Sequence, residues 1–160
     1  MGDLINDGKT RVGWASSIAN IAAPTAAECN GALDLTKRIT PDGLKTDPTT
    51  ADVDTSSLAS RFDTKKAGRV GYEAELTLKR GDNPTDDLPY TTLKYGVNGY
   101  LIVRRGIAFE TAFAAGQQVE VYPIECGERA NIPPAANEVT KFSSPMKVTD
   151  APSTDAVVAA

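Results

Sequence analysis

The sequence predicts a mainly β fold, an antiparallel β-sandwich or open barrel with one short flanking α-helix and a long inter-strand loop. Three observations carry that expectation. Val70, Tyr72, Ala74, Leu76 and Leu78 alternate with Gly71, Glu73, Glu75, Thr77 and Lys79, the period of a strand with one buried face. Tyr100-Leu101-Ile102-Val103 is a compact apolar run, consistent with a buried strand. Helix signals are nearly confined to Asp86-Asp87-Leu88-Pro89, an Asp cap followed by Pro in the first turn.

Taken in order, residues 1–13 read as a polar arm or first edge strand. Pro24-Thr25-Ala26-Ala27-Glu28 reads as one helical turn entered through Pro. Leu33, Leu35 and Ile39 share one parity and Asp34, Thr36 and Arg38 the other, which predicts a half-buried strand over 33–39. Residues 40–68 break the alternation. They are rich in Thr, Asp, Ser, Pro and Gly, with Leu44, Val53, Leu58 and Phe62 as the large apolar residues. A connection of this length inside a domain is functional or disordered more often than not. Leu58 and Phe62, four apart, have the spacing of one helical turn that docks elsewhere. Gly81-Asp82-Asn83-Pro84 closes the strand that begins at Val70. Leu93 and Val97 extend the apolar side of the helix toward Gly96 or Gly99. Strands are expected over 118–128 and 138–148, with Pro145 demoting the end of the last one. Residues 1–150 thus form a single domain, and 151–160 are expected to be a flexible tail.

Composition narrows the function classes. There is no histidine, which removes His-based metal sites and the Ser-His-Asp and Cys-His nucleophile systems. The net charge of −4 opposes a protein that grips phosphates, since such a surface is basic. Asp52-Val53-Asp54, with Asp47 and Asp63 nearby, lacks the spacing, central Gly and closing Glu of a calcium loop. Glu73 and Glu75 share one strand face, but paired catalytic carboxylates flank a cleft from separate elements. The basic doublets Lys65-Lys66 and Arg104-Arg105 have no interleaved aromatics and read as solvated or subunit-facing charge. Cys29 and Cys126 share no metal-ligand spacing and read as small buried hydrophobes in a reducing compartment. No apolar stretch is long enough to span a bilayer, and the start has no basic-then-apolar leader pattern. No enzyme, cofactor or metal is expected.

The stretch Ala51-Asp52-Val53-Asp54-Thr55-Ser56-Ser57-Leu58-Ala59-Ser60-Arg61-Phe62-Asp63-Thr64 resembles the loop of the major tail tube proteins of long, flexible-tailed bacteriophages (siphoviruses), particularly those of actinobacteria. Gly68–Arg80, the unit from Asp86 through Gly106, Val119–Pro123 and Asn137–Val139 follow in the family's order, and Pro24–Glu28 agrees. The resemblance implies a β-sandwich subunit, hexameric rings joined through their inner strands, and rings stacked into a tail tube. It implies a virion location after assembly in the host bacterial cytoplasm. The implied partners are further copies of the chain, tape-measure protein and DNA held without tight binding, and tail tip and terminator proteins, with no membrane. In that setting residues 40–68 are the stacking loop, Leu58 and Phe62 the inter-ring contacts, and Asp34, Glu73 and Glu75 candidates for an acidic lumen. A type VI secretion-like tube protein and a monomeric β-sandwich binding module are the alternatives.

Overall fold

The computed structural model describes residues 2–160. Among these are nine strands and two five-residue helices: β1 Thr10–Ala15, α1 Ala26–Asn30, β2 Leu33–Asp34, β3 Ile39–Asp54, β4 Lys65–Lys79, α2 Leu88–Thr92, β5 Asn98–Arg105, β6 Gln118–Cys126, β7 Ala130–Asn131, β8 Lys141–Val148 and β9 Ser153–Val157. Every strand pairing is antiparallel, and all strands belong to one sheet of order β2-β1-β5-β6-β8-β4-β3, with β7 added to β8 and β9 to β6. The mainly β expectation holds, as an open sheet and not a closed barrel.

The two ends of that path, β2 and β3, are consecutive in the chain. Residues 35–38 bridge them: Leu35 N donates to Val12 O (2.9 Å), and Lys79 N donates to Arg38 O (2.7 Å). The sheet therefore curls until its edges are joined by a turn instead of a ladder. The strand expected over 33–39 is cut short here. Asp34 accepts from both the backbone N (3.0 Å) and the Oγ1 (2.7 Å) of Thr36, an Asx turn that ends β2. Leu35 still enters the core, fully buried, so the alternation had identified the apolar side correctly.

β5 and β6 explain the apolar run at Tyr100. Leu101 and Val103 on β5, with Tyr122, Ile124 and Cys126 on β6, face one core containing Val12, Trp14, Leu76, Leu78 and Phe142. Ile102, Val119 and Val121 face a second core with Ile18, Cys29, Phe113 and Ala156. Burying both faces removes any reason for alternation. Each aliphatic side chain so buried contributes about 1.5–3 kcal/mol. At Pro123 the pairing of β6 passes from β9 (Gln118 to Val121) to β8 (Ile124 to Cys126). A residue without an N–H is tolerated at such a change of partner. Pro145 lies inside β8, where the pairing with β6 stops at Met146, so it marks a fork and not the strand's end. Gly99 lets the Trp14 ring lie against the backbone of β5: a Cβ there would sit 2.5 Å from a ring carbon.

The small elements cover the second core and the sheet ends. Thr25 and Glu28 cap α1 reciprocally, with Glu28 N donating to Thr25 Oγ1 (3.1 Å) and Thr25 N to Glu28 Oε1 (3.0 Å). The segment expected to be a flexible tail instead supplies β9, and Ala156 and Val158 are buried. Ala26 N donates to Ala159 O (2.9 Å) and Ala159 N to Pro24 O (2.7 Å), tying the C-terminal residues to α1.

α2 is shorter than the expected helix, and its Asp87 does not cap it. The carboxylate instead takes Arg80 bidentately, Nε to Oδ1 at 2.9 Å and a terminal nitrogen to Oδ2 at 3.0 Å, and accepts from Gly81 N at 3.1 Å. Arg80 lies 3.6 Å over the Tyr90 ring, whose edge meets Phe142. This clamp fastens α2 to the end of β4.

Arg80 holds the Asp87 carboxyl below its usual range, chiefly through their hydrogen bonds. A depressed carboxylate contributes stability that is complete above the unfolded-state value of about 4 and is lost as pH falls through the folded-state value. Asp87→Asn is therefore expected to cost about 1–3 kcal/mol near neutral pH, with the difference from wild type shrinking as pH falls from about 4 through the lowered folded-state value. Urea unfolding at a series of pH values checks this. Gly99→Ala is expected to cost about 1–3 kcal/mol through overpacking against Trp14, without a change in m-value, read from the same titrations.

Candidate self-assembly interface

The segment 40–68, expected to be a loop, is mostly strand. β3 runs to Asp54 and β4 starts at Lys65, so only residues 55–64 lie outside the ladder. The alternation test missed these strands because neither of their faces is buried, and no apolar side was needed. Thr-rich sequence suits an exposed strand, and Pro48 is tolerated because β3 pairs on one edge only. The root is irregular. Between the Ile39–Leu78 and Leu44–Leu76 pairs β3 carries extra residues, and Gly43 is pressed so close that a Cβ would meet Thr77 O at 2.5 Å.

The inner half of β4 belongs to the core. Ala74, Leu76 and Leu78 are buried, and β8 pairs with β4 from Lys79 to Ala74. Beyond Ala74, β8 turns away and β4 has β3 as its one partner. Lys65 to Glu73 therefore projects with β3 as an arm of roughly 30 Å at about 3.3 Å per residue. A two-stranded hairpin is marginal in water. This one presents two unpaired edges along its outer length, which are templates for further strands.

Polar bonds shape the tip. Thr55 N donates to Thr64 O (3.0 Å), Thr64 N to Ser56 Oγ (2.9 Å), and Ser57 N to Ser60 Oγ (2.9 Å). Asp54 accepts from Ser56 N at 2.8 Å, which holds its carboxyl below the usual range. Leu58 is fully exposed and Phe62 is 80% exposed. Both sit in turns and bends, not in the helical turn their spacing suggested. Both lie in the connection at the outer end of the arm, and neither joins a core cluster of its own subunit.

Glu73 and Glu75 share the outer face of β4, opposite the face that carries Ala74 and Leu76 inward. Lys45 Nζ lies 3.7 Å from Glu73 and 3.9 Å from Asp47, and Lys45 is the register partner of Glu75. Asp34 does not join them. It sits on β2, where its neighbours are Thr36 and, at 4.0 Å, Arg11.

The basic doublets divide. Lys65 reaches Asp52 at 3.4 Å, and Arg105 pairs with Glu120 at 2.8 Å. Arg104 is fully buried, against the expectation of solvated or subunit-facing charge. Its guanidinium donates to the backbone oxygens of Ala108 (3.0 Å), Thr111 (2.7 Å) and Ala112 (3.2 Å) and to Gln117 Oε1 (3.1 Å), and it stacks 4.8 Å from the Phe113 centroid. It organises the connection between β5 and β6. A run of four apolar residues ending in Arg-Arg is a sign of such a role, since the first Arg continues the buried strand.

Little here suits chemistry. Cys29 and Cys126 are buried in different cores, and burial pushes both thiols up to about 11. Burial and the bond to Glu120 push the Tyr122 phenol up to about 12. Among the described residues no group of three or more Cys, Asp or Glu is placed to hold a metal, and no helix is long and apolar enough to cross a membrane. A cleft of about 330 Å³ between residues 6–12 and 36–44 collects Asn6, Asp7, Thr10, Thr36 and Arg105.

The molecule's distinctive surface is thus a projecting arm with open strand edges and two exposed apolar residues at its tip. A family model described as phage tail tube protein matches residues 1–160. A comparison with curated proteins finds no match. The whole-length match and the projecting hairpin agree, and the chain belongs to the phage tail tube protein family, structural proteins of the virion tail that assemble with their own copies into a tube.

Proposed function

We propose that this chain forms hexameric rings that stack into the tail tube of a long, flexible-tailed phage and so make the conduit for its genome. The projecting hairpin carries this reading. An arm of roughly 30 Å whose strands pair only with each other leaves both edges open. Contacts between different patches of successive copies close into a ring where the rotation fits, and stacking extends the ring along its axis. Leu58 and Phe62 then leave water against the neighbouring ring, where each contributes about 1.5–3 kcal/mol on full burial.

Glu73, Glu75 and Asp34 are assigned to the lumen side. Like charge keeps DNA and tape-measure protein sliding, because no phosphate is neutralised and no counterion is released. Tail tip and terminator proteins cap the two ends of the column.

Negative-stain microscopy of the purified protein is expected to show rings or tubes; uniformly dispersed small particles would reject the assembly and favour a monomeric binding module. Replacing Leu58 and Phe62 together by Ser is expected to leave the subunit's unfolding free energy within about 0.5 kcal/mol of wild type and to shorten the tubes. Undiminished tubes would remove both residues from the inter-ring role. The pair Glu73→Lys and Glu75→Lys is expected to assemble yet deliver DNA poorly in the phage, and normal infectivity would sink the acidic-lumen assignment.

A further inference from the structure

The outer part of the arm is segregated by charge. From Thr46 to the end of β3 the charged residues are Asp47, Asp52 and Asp54, all exposed. From Lys65 to Tyr72 on β4 they are Lys65, Lys66 and Arg69, also exposed. One strand is purely acidic and the other purely basic. Nearer the body the signs mix, with Lys45 between Asp47 and Glu73.

Pairing within the hairpin uses only part of this charge. Asp52 and Lys65 lie 3.4 Å apart, whereas Lys66 and Arg69 make no ion pair among the described residues. Each strand side chain has neighbours on two sides, its hairpin partner and whatever lies across the free edge. Across the free edge of β4, the basic residues have no partner strand in their own subunit beyond Ala74.

Two copies have two ways to meet edge to edge. Joining the same strand of each, in a twofold pair, sets acid against acid or base against base, and like charges directly opposite are destabilising. Joining β3 of one copy to β4 of the next sets acid against base. With the arms pointing the same way, that contact is antiparallel, because β3 runs to the tip and β4 runs back. It repeats the alternation already present inside each hairpin.

We infer that this segregation selects the contact of β3 in one copy with β4 in the next, so that the chain associates head to tail and rejects twofold pairing through its arms. The inference rests on the self-assembly reading above and specifies the pair of edges that meet and what makes them choose.

Two charge-reversed proteins test it. Lys65→Glu with Lys66→Glu makes the tip-side charges of both strands acidic, with Arg69 unchanged, and Asp52→Lys with Asp54→Lys makes them basic, with Asp47 unchanged. Circular dichroism and thermal melts establish that each is folded, which is expected because all four positions are solvated. At low ionic strength each variant alone is expected to need about tenfold or more protein to assemble than wild type does. An equimolar mixture is expected to recover assembly, by sedimentation and by microscopy. The repulsion inside each hairpin is the same before and after mixing, so recovery reports a contact between copies. Assembly of either variant alone at the wild-type threshold, or a mixture that stays dispersed while wild type assembles, would overturn the inference. Monomers in every sample, wild type included, would instead reject self-assembly itself, which separates the two failures.

Discussion

The strand β4 is held in two different environments, and the rest of the molecule depends on where it passes from one to the other. Through Leu78, Leu76 and Ala74 it lies between β3 and β8 over a packed core. Past Ala74 it has lost β8, and past Tyr72, which meets Tyr122 edge-on, the core as well, and its backbone has β3 as its one partner strand. The root makes the arm possible, since an isolated hairpin of this polarity is marginal. Two fully buried leucines at the root, each contributing about 1.5–3 kcal/mol, anchor a ladder that contributes little burial of its own.

The same division governs how stability is distributed. The body is dense, with β5 and β6 buried on both faces and Arg104 closing the end of that pair. A buried guanidinium is costly unless its donors are met. Here four acceptors from one connecting segment meet the two terminal nitrogens, leaving Nε without a partner, and the segment is ordered in return. The arm is the opposite case, a ladder of solvent-exposed backbone bonds with few apolar contacts, and such regions open locally at low cost.

Charge works on the same geography. Where strands are in the body, ionic groups are used locally: Arg80 with Asp87 fastens a helix, and Arg105 with Glu120 finishes a strand. On the arm the charges are exposed and sorted by strand, so that each ion pair is individually weak but the row acts together. Surface pairs contribute little to folding, and a row of like sign along an open edge acts instead on which edge can approach.

Sequence by itself determined the strands with one dry face and the buried run at Tyr100, because alternation and its absence follow directly from which faces lose water. It also placed α1 and α2 from Pro, Asp and Glu, though it gave Asp87 to the helix cap when the stronger partner was Arg80. Glu73 and Glu75 were legible as one face of a strand, since parity is a local property. Tertiary structure decided what local pattern does not encode. The arm was read as a loop because a strand wet on both faces carries no alternation. β9 carries no sequence signal because its buried residues, Ala156 and Val158, are too small to stand out as anchors. Arg104 went into the interior because the segment folding over it supplied oxygens from residues 108–117. The charges of β3 and β4 likewise form two opposed rows only once the hairpin has folded.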